Sequence, residues 1–140
     1  MASTTHCIIF CLTSLLFLPT YADPISTFAS NCGEILSGES GGISYKPFEQ
    51  FREGERCVWI IRVHRAVSYN VVLFNSGMGS YGYNKVIVTA LSRDKAEVHT
   101  ELSLIDRNYF INGSVAVITF YTYSTSPAAT GFSLYYDAVL

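Results

Sequence analysis

The obvious candidates for catalysis beyond residue 22 are two histidines, His64 and His99, and the glutamates around the second, Glu97 and Glu101. General acid–base work needs such groups within hydrogen-bond reach of one another. Spaced four apart on a strand, Glu97 and Glu101 share one solvated face, and both histidines read as ordinary surface or sheet residues. A triad can be assembled from distant residues in any order, but no serine is expected to sit in a nucleophile elbow, and the expectation is a chain that is not an enzyme.

The chemistry of recognition is better represented. Asn75 to Asn84 reads Asn-Ser-Gly-Met-Gly-Ser-Tyr-Gly-Tyr-Asn. Tyrosine brings large amphipathic contact area at low entropic cost, and small polar residues bring adaptable hydrogen bonds. Tyr81 and Tyr83 are therefore the leading candidates for ligand binding, with Asn84 beside them. Tyr121, Tyr123, Tyr135 and Tyr136 form a second aromatic group, of which strand alternation buries about half, and Tyr123 completes the candidate set. The competing reading is that glycine and serine are ordinary turn residues and the tyrosines lie back on a sheet. Asn112-Gly113-Ser114 is an N-glycosylation sequon. Asn-Gly also suits a type I′ hairpin turn, so a purely structural reason for it stands alongside.

These groups sit in a chain of 140 residues, enough for one domain. Cys7 to Leu12 and Leu15 to Leu18 form an apolar run, and Pro19-Thr20-Tyr21-Ala22 places small residues at the positions that matter for cleavage. Residues 1–22 read as a secretory signal peptide cleaved after Ala22, although Met1 to His6 contains no Lys or Arg. An uncleaved anchor is the rival, but the run is short for a membrane span. After cleavage no membrane insertion is expected, and the protein is expected to be extracellular. All 9 basic and 11 acidic residues lie beyond residue 22, for a net charge of −2. With no basic run, nucleic acid is excluded as an electrostatic partner. Cys32 and Cys57 remain as an even pair in an oxidising compartment, which predicts a disulfide; two buried thiols would be the alternative. Two cysteines with no histidine cluster do not make a zinc site.

The elements that position these residues read as strands. After a short lead-in at 23–31 come a brief strand from Cys32 to Leu36, a glycine-rich turn, and a strand beginning near Ile43. Tyr45 to Glu55 is expected to be a surface loop tacked down by its aromatics. In Arg56-Cys57-Val58-Trp59-Ile60-Ile61-Arg62-Val63, alternation puts Cys57, Trp59, Ile61 and Val63 on one face, toward a core. Strands follow at Asn70–Phe74, Lys85–Leu91 and within Glu97–Ile105, the second strongly β-branched. A hairpin at Asn112-Gly113 leads into Ser114–Tyr123, and Gly131–Tyr136 closes the chain. Many short strands with frequent turns predict an antiparallel sandwich.

The order Cys-Gly, Gly-Ile-Ser-Tyr, Cys-Val-Trp-Ile-Ile and Val-Val-Leu-Phe, then Val-Ile-Thr-Phe and Gly-Phe-Ser-Leu-Tyr-Tyr, resembles the CUB domain of extracellular proteins. The resemblance runs from Cys32 to about Ala138 and assigns 32–140 to a CUB-like domain. It implies an all-β, two-sheet, jelly-roll-like sandwich, with Cys32–Cys57 as the family's first disulfide; the second cysteine pair of many members is missing. A calcium-binding subset carries three acidic residues, at positions that fall on Ser76, Asn84 and Tyr123. Calcium wants many oxygen ligands and carboxylate charge, so no calcium site, or only a very weak one, is expected, and no metal or other cofactor. The resemblance implies a secreted, non-catalytic module recognising an extracellular protein or carbohydrate. The alternative is a structural or bulk-secreted component, of extracellular-matrix or venom type.

Overall fold

The computed structural model describes residues 27–77, 84–92, 98–123 and 130–140. The proposed signal peptide, Tyr81 and Tyr83 lie outside the described residues.

Among the described residues, ten strands form two five-stranded sheets. They are β1 (Thr27–Ala29), β2 (Ile35–Leu36), β3 (Ser40–Gln50), β4 (Arg56–Ile61), β5 (Ser68–Ser76), β6 (Lys85–Leu91), β7 (Val98–Glu101), β8 (Asn108–Asn112), β9 (Val115–Tyr121) and β10 (Thr130–Val139). One sheet has the order β1-β3-β10-β5-β8 and the other β2-β4-β9-β6-β7. The described residues contain no helix.

The tryptophan strand behaves as alternation requires. Cys57, Trp59 and Ile61 are buried between the sheets, while Val58 and Ile60 face outward. Trp59 meets Tyr45 edge-on at 5.2 Å and Phe132 at 5.6 Å, so one ring ties β4 to two strands of the opposite sheet. Phe120 joins them, 5.7 Å from Tyr45 and 5.4 Å from Phe132. The indole N–H cannot be buried without a partner, and it donates to the Asn31 carbonyl at 2.6 Å. That bond draws 31–36 along β4, where Gly33 N–H donates to Val58 O and Ile60 N–H to Glu34 O. The Cys32–Cys57 disulfide closes the same seam, with Cα atoms 5.3 Å apart.

Several expectations need correction. The sheets are mixed, not wholly antiparallel, because β1 runs parallel to β3 and β2 parallel to β4. The domain starts before Cys32, since Thr27–Ala29 already pairs with Gly41–Ile43. The stretch from Tyr45 is no surface loop: β3 continues to Gln50 and pairs with β10. Its aromatics divide, with Phe51 only 4% exposed and Phe48 89% exposed. Asn112-Gly113 closes no hairpin. Strand β8 pairs with β5 in one sheet and β9 with β4 and β6 in the other, so the turn carries the chain between sheets. The turn is tight: a Cβ on Gly113 would lie 3.0 Å from the Ala90 Cβ and the Leu91 oxygen.

Replacing Trp59 with Ala should lower stability by about 3–5 kcal/mol, since it removes transfer energy and opens a cavity. Phe48→Ala should change it by less than about 0.5 kcal/mol. Urea unfolding of both variants checks the contrast.

Candidate functional site

The ends of β3, β5 and β9 and the starts of β4, β6 and β10 meet at one end of the sandwich, as the pairs Thr130–Gln50, Phe132–Ser76, Arg56–Tyr121 and Lys85–Tyr121 require. Of the sequence-level candidates for ligand binding, Asn84 and Tyr123 belong to this end. Its floor is a polar network that sequence reasoning missed. The Glu55 carboxylate accepts from Lys46 Nζ at 2.8 and 2.9 Å, from the Arg52 N–H at 2.9 Å and from the Tyr45 hydroxyl. Glu55 N–H donates to Thr122 Oγ1 at 3.0 Å, and that hydroxyl donates to the Arg52 carbonyl at 2.7 Å. Thr122 N–H returns to the Glu55 carbonyl at 3.0 Å. The turn between β3 and β4 is thereby fastened to the end of β9. No local pattern announces this, because its partners lie up to 70 residues apart.

Burial costs Glu55 some of its acidity, but the Arg52 N–H, Lys46 and Tyr45 more than offset it and hold the carboxyl below its usual 4.5. Burial, with the bond to Glu55 and its charge, pushes the Tyr45 phenol up to about 12. A depressed carboxyl stabilises the fold above its unfolded value and loses that contribution as pH falls through the folded one. A raised phenol stabilises below 10.0, and that contribution disappears as pH rises from there toward 12.

Above the floor, the structure brings Asn84 and Tyr123 to one rim. Lys85 pairs with Tyr121, so Asn84 and Tyr123 flank that pair at the roots of two loops. Tyr123 is 60% exposed and stands edge-on to Tyr121, with centroids 5.2 Å apart at 88°. Lys85 Nζ bonds Glu101 at 2.7 Å beside them. Tyr121 and Tyr135 are half-buried and Tyr136 is wholly buried, with its hydroxyl on the Gly38 carbonyl at 3.0 Å. Gly131 secures the other loop root: a Cβ there would fall 1.8 Å from the Tyr45 carbonyl oxygen.

Ser76, Asn84 and Tyr123 do not fit calcium. A hydroxyl, an amide and a phenol bring no formal charge, and 78–83 and 124–129, which flank them in sequence, contain no Asp or Glu. The carboxylate beneath, Glu55, is already compensated by Lys46. Among the described residues there is no cluster of three or more His, Cys, Asp or Glu.

The opposite end holds a shallow cleft of about 850 Å³, lined by Arg62, His64, Arg65, Ser92 and Ser114 among others. Arg62, His64 and Arg65 are exposed, and neither arginine enters an ion pair among the described residues. The sequence signal was the bunching of three basic side chains within four residues. His99 lies apart from this cleft, hydrogen-bonded to Thr89 Oγ1 at 2.9 Å on the edge pair β6–β7. Gly38-Glu39-Ser40-Gly41-Gly42 spells the letters of a nucleophile elbow, which needs a strand-to-helix turn. Here Ser40 instead opens strand β3.

No protein-family model matches this sequence, and no curated protein does. Solved structures match the fold. The second CUB domain of MASP-1 bound to Ca2+ is 16% identical with a TM-score of 0.54, over 77% of this chain and 100% of that one. The full extracellular region of zebrafish Gpr126/Adgrg6 is 16% identical with a TM-score of 0.61, over 79% of this chain and 15% of that one. The CUB1-EGF-CUB2 region of human MASP-1/3 is 14% identical with a TM-score of 0.54, over 81% of this chain and 44% of that one. The chain therefore has a CUB-like fold, as the sequence resemblance implied. At such identity the likeness speaks for the fold alone.

Two outcomes follow. Thermal melts in excess calcium and in chelator should agree within about 2 °C, because a ligand stabilises only by binding the folded state. Glu55→Gln should flatten the loss of stability below pH 4.5, as read from urea midpoints across pH; an unchanged acid limb would refute the assignment.

Proposed function

We propose that this chain is a secreted, non-catalytic recognition module that binds an extracellular protein or glycan through the rim formed by Asn84 and Tyr123, together with Tyr81 and Tyr83, which precede Asn84 in the sequence. The observation that carries the reading is Tyr123, a ring 60% exposed yet braced at 5.2 Å by Tyr121. An aromatic already held in place loses little entropy on binding, which is why Tyr anchors many interfaces. The disulfide supports an oxidising, extracellular setting, as do residues 1–22 read as a cleaved signal.

The cleft at the other end favours a second reading, in which Arg62 and Arg65 receive an acidic ligand such as a sulfated glycan. Screening the secreted protein against glycan arrays and extracellular protein libraries separates the two. On the first reading Tyr123→Ala weakens the strongest hit by about tenfold or more, with an unchanged melting temperature and weak salt dependence. On the second, Arg62→Ala with Arg65→Ala abolishes a salt-sensitive hit while Tyr123→Ala leaves it intact. A chain that self-assembles with concentration and yields no hit contradicts both and favours a structural role.

A further inference from the structure

We propose that Asn112 carries an N-linked glycan whose first sugar packs on the exposed ring of Phe110. The inference rests on the secretory reading above, since sequons are modified only on that route. Strand β8 alternates, so Asn108, Phe110 and Asn112 share the outer face of their sheet while Tyr109 and Ile111 face the core. Residues two apart on such a face are separated by about 6.8 Å, which places a sugar linked to the Asn112 amide beside the neighbouring ring.

Phe110 is 75% exposed and makes no ring contact among the described residues. On the same outer face Phe74 and Tyr135 do approach each other, at 6.4 Å. An exposed phenylalanine on an edge strand is an invitation to association. Directly opposite on β5, Phe110 faces Asn70 and Asn112 faces Ser68. Neither neighbour is large or apolar enough to cover the ring. A pyranose ring presents a face of C–H groups, weakly positive at hydrogen, and this suits the negative face of a benzene ring as an aromatic edge does. The attachment point is also fixed. Gly113 N–H donates to the Val67 carbonyl at 2.9 Å and Ser114 N–H to the Leu91 carbonyl at 3.0 Å. The sugar thus begins from a rigid root pointing to the same side as Phe110.

The test expresses the full chain in a secreting eukaryotic cell, as the wild type and as Asn112→Gln, Ser114→Ala and Phe110→Ala. Secreted wild type should lose mass on enzymatic removal of N-glycans, and the Asn112→Gln and Ser114→Ala proteins should not. Removing the glycan should lower the melting temperature by about 3 °C or more in the wild type and by far less in Phe110→Ala. Nuclear Overhauser contacts between the first sugar and the Phe110 ring should be seen in the glycosylated protein, a readout independent of any variant. Secreted protein without a glycan overturns the inference and leaves the secretory reading standing. A chain retained in the cell and unmodified overturns both. A glycan with no contact to Phe110, and an equal effect in Phe110→Ala, overturns the packing.

Discussion

The architecture depends on burying a single indole between two sheets and satisfying its N–H there. Trp59 has no exposed surface, so its donor must find a partner inside the protein, and the partner is the Asn31 backbone. That requirement draws the segment ahead of β2 against β4 and brings Cys32 within bonding distance of Cys57. The ring's edges then key into Tyr45 and Phe132 of the facing sheet. The hydrophobic term, the hydrogen bond and the covalent tie all act on one strand, which makes the local choices mutually consistent.

From this core the polar floor follows. Tyr45 presents its ring to Trp59 and its hydroxyl to Glu55. The same side chain therefore belongs to the apolar core and to the network that fastens the loop end. Lys46, with its φ of +46°, turns the backbone so that the ammonium reaches Glu55. A half-buried carboxylate without such partners would be costly; with them it holds the β3–β4 turn to β9. On the rim above, the exposed ring of Tyr123 is braced edge-on by Tyr121.

Much of this was legible in the sequence where one strand carries its own period. Lys85–Leu91 is found with the limits that its β-branched run indicated, and the inward set of β4 is the one alternation names. What local pattern could not convey is partner choice. The parallel strands β1 and β2 are three and two residues long, too short to show a period. Pro47 and the polar residues around it disguised the far half of β3, where the pairing with β10 passes from Tyr45 to Gln50 through a register shift. Asn112-Gly113 has the chemistry of a hairpin turn, but nothing in a dipeptide says whether the next strand stays in the same sheet. The floor was hidden for the same reason, since Thr122 meets the β3–β4 turn only after the sheets have closed. The basic cleft needed the bend at Arg65, whose φ is +66°, to gather its residues.

The core carries the stability, and the proposed recognition rim lies outside it. Native-state amide hydrogen exchange tests that division directly. The amides of Trp59 and Phe120 should exchange only through global unfolding, at the free energy measured by denaturant, while those of Asn84 and Tyr123 exchange through local opening at a much smaller one. Equal protection of the rim and the core would contradict the account, as would exchange of Trp59 through a partial opening that leaves the rim intact.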